Sequence, residues 1–303
     1  MAKRSAYLVV GLPHGGASFL PSALRAHAAT LAAAGITLPA RSDDEMFRAA
    51  VEIRRDHRAW GLRRRDVEGA WADVCRRAYR GKDDVVVGHD LLAGATDAEI
   101  ALLVDRLPGF DLHVVVAAGP ADPRLTLFPD DHDLGAVLAR WAAHVRSADR
   151  VHLLVTDPDD PAATWAALSR VVGFDATLLD PSADLGTGAG QDLASLRLLA
   201  TSSGSLASGE ELREAAEDWA KAAAEAGYDV HGDLTGLLPR AGAGAGEDAP
   251  AQVRLELVSD ALADAVAELT RLREQHAELQ QHTAKLRRKR KRLKERLAEA
   301  TRG

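Results

Sequence analysis

The sequence predicts an α/β domain, a parallel sheet flanked by helices in three layers, followed by a linker and one long C-terminal coiled-coil helix. Three observations predict it: short Val- and Leu-rich runs in the first half, helical periodicity between them, and a seven-residue repeat after residue 251. With 303 residues and 47% hydrophobic content, the chain can bury one large core or two modest ones. Only 4% of residues are aromatic, so that core is built mainly from Ala, Leu and Val.

Residues 7–10, 85–88, 112–117 and 151–156 read as strands. They are nearly continuous in apolar residues rather than alternating, the pattern of strands covered on both faces of a parallel sheet. Amphipathic stretches at 18–34, 43–54, 64–80, 97–107 and 134–146 read as the intervening helices. Residues 157–161 (DPDDP) form a turn, with a helix starting near Ala162. Residues 191–227 read as helices packed on the same domain, interrupted by a Gly/Ser break at 202–205. The organisation is therefore an α/β domain over 1–240, a flexible Gly/Ala linker over 241–250 and a basic coiled coil over 251–303.

In the last segment one heptad position holds Leu255, Leu262, Leu269, His276, Thr283, Arg290 and Leu297. The other, three residues on, holds Val258, Ala265, Leu272, Leu279, Leu286, Leu293 and Ala300. Such a seam predicts a homo-oligomer through residues 251–303, with the polar seam positions helping to fix register. Charge follows the same division. The net charge is −7 overall, but residues 251–303 carry +5 and the body −12. The run from Lys285 to Lys294 (KLRRKRKRLK) offers a surface to an anionic partner, such as nucleic acid, a membrane surface or an acidic polymer, or else forms a solvated helix face. It follows the zipper and lacks aromatic residues, which fits neither a basic leucine zipper nor a single-strand binder.

Cys75 is the only cysteine, so no internal disulfide and no thiolate metal cage can form. The apolar run 7–12 is too short for a secretion signal, and no uncharged apolar run reaches the roughly 18 residues of a membrane helix. These features predict a cytoplasmic protein without a transmembrane segment.

The strongest chemical signal is Gly11-Leu12-Pro13-His14-Gly15-Gly16-Ala17-Ser18, which joins the first strand to the first helix. Glycines let successive backbone N–H groups turn into one concavity that holds a phosphate or sulfate, and Ser18 adds a hydroxyl. The motif GxxxxGK[ST] is not intact, because Ala17 stands at the lysine, so ATP or GTP hydrolysis is disfavoured. A second signal is His89-Asp90 at the end of the second predicted strand. Ligands of open α/β sheets bind at that edge, and a hydroxyl acceptor needs a base such as these. The competing reading makes Asp90 the N-cap of a short helix.

The loop resembles the 5′-phosphosulfate loop of sulfotransferases, of the form P-K-x-G-T-T, here Pro13-His14-Gly15-Gly16-Ala17-Ser18. Gly35-Ile36-Thr37-Leu38-Pro39, Val87-Gly88-His89-Asp90-Leu91-Leu92, residues 114–120, 141–156 and Ala183-Asp184-Leu185-Gly186 resemble later blocks, in order, over about residues 6–230. The resemblance implies a P-loop-type fold and sulfuryl transfer from 3′-phosphoadenosine 5′-phosphosulfate to a hydroxyl or amine. It implies His14 in the place of the loop lysine, and Asp90 or His89 as base. Gly119 stands where the family places the 3′-phosphate arginine, with Arg124 and Thr126 as the nearest substitutes. The losses at the lysine and arginine positions equally suit a non-catalytic member acting as a folded head on the coiled coil.

Other candidates receive plainer readings. Asp130-Asp131-His132-Asp133 suits a solvated loop or the cap of the following helix better than a metal, and no metal site is expected. Cys75 and the five tryptophans read as packing, and Arg63-Arg64-Arg65 and Arg76-Arg77 as solvated helix faces.

Overall fold

The computed structural model describes residues 3–12, 17, 19–122, 133–178 and 207–240. Pro13, His14, Gly15, Gly16, Ser18, Arg124 and Thr126 lie outside the described residues, as do 130–132, 183–186, the break at 202–205, the linker and the coiled coil with its basic run.

The chain runs β1 (Ser5–Gly11), α1 (Leu20–Ala26), α2 (Ala28–Ala33), β2 (Ile36–Thr37), α3 (Asp43–Arg54), α4 (Arg64–Val67), α5 (Ala70–Ala78) and β3 (Asp84–Gly88). It continues through α6 (Asp97–Val104), β4 (Asp111–Ala118), α7 (Leu134–Ala142), β5 (Val151–Val155), α8 (Pro161–Val172), α9 (Gly209–Ala226) and β6 (Asp229–His231). The described strands form one parallel sheet in the order β2-β3-β1-β4-β5-β6. All four predicted strands are present at its centre. Tyr7 pairs with Val86 on one side and His113 on the other, so β1 is bonded along both edges.

Helices cover both faces, as continuous apolar strands require. One face puts Leu8, Val10, Val114, Val116 and Leu153 against residues of α3, α5, α7 and α9, among them Ala50, Trp71, Trp141 and Trp219. The other puts Tyr7, Val9, Val115 and Leu154 against Leu20, Leu24, Leu31, Trp165 and Leu168. Leu212, Ala216 and Ala223 of α9 join the first core, so the described part of 191–227 packs on the same domain. Gly88 is required where β3 meets β1: a Cβ there would fall on the carbonyl oxygen of Val9.

Four predicted helices differ from the observed ones, the stretch 97–107 ending at Val104. The stretch 18–34 is interrupted at His27, and 64–80 is interrupted at Gly69, which has φ 89° and starts α5 from a left-handed residue. The stretch 134–146 stops at Ala142. Residues 43–54 form α3 throughout, because Ser42 accepts from the Glu45 N–H at 3.1 Å and three acidic residues fill the first turn. Two edge strands, β2 and β6, add to the predicted four. Among the described residues no helix is long and apolar enough to cross a membrane.

Candidate functional site

Because the strands are parallel, Gly11, Gly88, Ala118 and Val155 end at one edge of the sheet. Leu12 continues the ladder by donating its N–H to the Ala117 carbonyl at 2.8 Å, and Thr156 does the same to Ala118 at 2.8 Å. β3 stops pairing at Val9–Gly88, two residues before β1 ends, so among the described residues no strand meets the Gly11 N–H on that side. Asp90 takes the place: its carboxylate accepts from the Gly11 backbone. A Cβ at Gly11 would come within 2.9 Å of Asp90 Cγ, so the carboxyl and the start of the loop are in direct contact.

Asp90 is only 8% exposed, and burial pushes its acid up to about 7, the Gly11 bond offsetting only part. The preceding residue, His89, is extended and caps the turn Asp90–Leu92, its Nδ1 accepting from the Leu91 N–H at 3.1 Å. The cap is therefore His89, and the reading of Asp90 as N-cap is corrected: its side chain turns to β1 instead. Burial holds the His89 imidazole down to about 4, with Asp43 opposing, so it is neutral at pH 7. With Nδ1 accepting, the ring proton sits on Nε2, and His89 offers a donor rather than a base. Its ring lies 5.7 Å from Phe47, and Arg54 donates to the Leu91 carbonyl at 2.6 Å, fixing the turn.

Of the other predicted residues, Ala17 is buried in the core beside Phe19 and Leu20, and its carbonyl accepts from the Leu20 N–H at 3.0 Å. Gly11 and Leu12 adjoin the carboxyl of Asp90 and the end of β4 respectively. Asp133 caps α7 through the Ala136 N–H at 3.2 Å and accepts from Trp219 Nε1 at 2.9 Å, the structural role expected for it. Cys75 is buried, and burial pushes its thiol up to about 12. Arg64 and Arg76 are exposed and pair with Glu68 and Asp73 within one helical turn, whereas Arg77 is not a solvated residue: it donates from Nε to the Pro39 carbonyl at 2.6 Å and pairs with Glu45 of α3.

A second polar cluster was not foreseen. It crosses the far side of the sheet from β4 to β6. Arg150 Nη1 lies 2.6 Å from His113 Nε2, and His113 Nδ1 lies 2.9 Å from His152 Nε2. His152 Nδ1 and His231 Nε2 both meet Asp229 Oδ2, at 2.7 and 2.8 Å. The signal was present: His113 and His152 interrupt the apolar runs 112–117 and 151–155, and Asp229 and His231 are two apart, on one face of a strand.

No family model matches the chain, and neither a curated protein nor a solved structure matches it.

Proposed function

We propose that the chain is a sulfotransferase-like phosphate-loop protein that transfers a sulfuryl group from 3′-phosphoadenosine 5′-phosphosulfate to a hydroxyl or amine, in the cytoplasm. The observation that carries this reading is the buried Asp90 carboxyl, raised to about 7 and held against Gly11 where the loop leaves β1. A base needs a pKa near the working pH, and that edge of an open parallel sheet is where ligands bind. The sheet order supports it too: β1 lies between strands reached in opposite directions, the switch point at which a crevice opens.

In this reading the backbone of Gly11 to Ser18 holds the 5′-phosphosulfate and Arg124 and Thr126 meet the 3′-phosphate. Asp90 takes the proton of the acceptor as its oxygen or nitrogen attacks sulfur. The bond from sulfur to the bridging oxygen breaks, and a hydrogen bond from His14 stabilises the departing phosphate. His89, a fixed Nε2–H donor, orients the acceptor. Catalysis rests on positioning and charge stabilisation without a covalent intermediate.

A second reading rests on Ala17, which stands at the lysine of GxxxxGK[ST] and is only 3% exposed, packed into the core. A position given over to packing suits a degenerate domain that serves as the head of an oligomer assembled through residues 251–303, with the run from Lys285 to Lys294 meeting an anionic partner.

Calorimetric titration of the full chain with 3′-phosphoadenosine 5′-phosphate separates the two. The enzyme reading expects micromolar binding, abolished in Gly16→Asp, whose carboxylate repels the phosphate. It also expects Asp90→Asn to keep nucleotide binding while losing at least about 100-fold in turnover, the scale of a lost general base. Absence of binding at millimolar nucleotide removes the enzyme reading. Sedimentation of the full chain against a form ending at residue 250 then decides whether the tail assembles it.

A further inference from the structure

The register of the far edge brings three ligand-type side chains together. His152 pairs with Asp229 across β5 and β6, and Leu154 pairs with His231. Asp229 and His231 therefore share the sheet face of His152. His152 Nδ1, Asp229 Oδ2 and His231 Nε2 lie within 4.8 Å of one another. We propose that these three atoms form a binding site for a zinc-class divalent cation.

Two neutral imidazoles and one carboxylate are the donor set of zinc and its first-row neighbours, whereas magnesium and calcium require oxygen ligands throughout. Ligands about 2.0–2.1 Å from a tetrahedral ion stand roughly 3.3 Å apart, so the contacts at 2.7 and 2.8 Å open by about half an ångström when the ion enters. Asp229 permits this, because it sits on an edge strand with its side chain 46% exposed. Three protein ligands leave a fourth position, and the exposed carboxylate puts it toward solvent, open to water or an exchangeable ligand. His152 also has the outer support that metal-binding histidines use, since its second ring nitrogen is bonded to His113.

Proton placement adds a further constraint. Without an ion every donor is ordered: Arg150 donates to His113 Nε2, so His113 donates from Nδ1 to His152 Nε2, and His152 donates from Nδ1 to Asp229. When His152 Nδ1 binds a cation, its proton moves to Nε2 and points at His113 Nδ1. His113 must then carry its own proton on Nε2, facing the N–H of Arg150. Two donors cannot share that 2.6 Å contact, so Arg150 lets go of His113 and stays with Asp111, 2.9 Å away. Arg150 thus holds the metal-free tautomers and lowers affinity.

The test is calorimetric titration of chelator-stripped full-length protein with zinc chloride, and with cobalt chloride read by its visible absorption. The expected result is one equivalent bound at micromolar concentration or below, a cobalt spectrum of low coordination number, and no response to magnesium. Asp229→Asn and His231→Gln should each weaken binding at least tenfold. Arg150→Gln, whose amide oxygen can accept from His113 Nε2, should tighten it, an effect no general loss of structure produces. The chain has eleven histidines, so zinc can be caught elsewhere. Binding of equal affinity in both weakened variants, or none at all at submillimolar zinc, overturns the proposal. If Asp229→Asn fails to fold, His231→Gln and Arg150→Gln decide it.

Discussion

Asp90 and His89 are neighbours in the chain, and burial moves their acids in opposite directions, to about 7 and about 4. Burial disfavours charge on either, and the two then titrate across the same interval with opposite consequences for stability. Asp90 has a raised folded value, so its contribution is fully present below its unfolded value near 4 and is lost as pH rises through about 7. His89 has a lowered one, so its contribution is present above about 6.5 and is lost as pH falls through about 4. In the native protein the slopes oppose each other between these limits, with His113, also held down to about 4 by burial, adding to the histidine side. Asp90→Asn should therefore make stability climb more steeply from pH 4 to 6.5 than in the wild type, and His89→Asn should flatten or reverse the climb. A tenfold change in an ionisation constant is worth about 1.4 kcal/mol, so each effect is at least of order 1 kcal/mol and visible in denaturant midpoints taken across that range. Parallel profiles for wild type and Asp90→Asn would mean that the carboxyl is not held in its acid form. The sequence allowed Asp90 to be singled out from its position at a strand end. It did not show which of the two would cap the turn, because that depends on β3 ending two residues short of β1.

At the scale of elements, what was legible were parts whose signal is local and redundant. β1, β3, β4 and β5 each carry runs of Val and Leu because they are covered on both faces, and composition alone identifies them. β2 has two residues and β6 three, and among the described strands each pairs along one edge, so no hydrophobic run marks them. They exist because the neighbouring strand offers unpaired backbone groups, which is a tertiary cause. The helix starts at 43, 97 and 134 were legible, and in each the preceding side chain caps the helix, whereas the capped start of α9 at Gly209 was not. Thr96 and Glu99 form a reciprocal pair at the start of α6, the hydroxyl accepting from Glu99 N–H at 3.4 Å and the carboxylate from Thr96 N–H at 2.9 Å. The cap matters here because α6 carries Ile100 and Leu103 into the core. Thr96→Ala should cost about 1 kcal/mol in urea unfolding, with the slope of the transition unchanged. A loss several times larger would mean that Thr96 has a second role beyond capping.

For the whole molecule, one sheet carries two separate polar groups. Asp90 sits where β1 leaves the sheet, and the Arg150–His113–His152–Asp229–His231 network crosses from β4 to β6. β1 and β6 are three strand spacings apart, about 14 Å. Beyond His113 and His152, which belong to that network, β4 and β5 fill the space toward their C-terminal ends with close-packed Val114 to Ala118, Leu153 and Leu154. Sites more than about 10 Å apart with no shared partners have additive effects. Asp90→Asn and Asp229→Asn should then change stability independently, the double variant matching the sum of the singles to within about 0.5 kcal/mol. If both proposed sites bind their ligands, the same separation predicts that zinc leaves nucleotide affinity unchanged, and that Asp90→Asn leaves zinc affinity unchanged. Coupling beyond about 1 kcal/mol in the double-mutant cycle would require β4 and β5 to shift as a unit when either side changes. The two groups would then have to be regarded as one coupled site, with occupancy of the edge cluster regulating the loop end of the sheet.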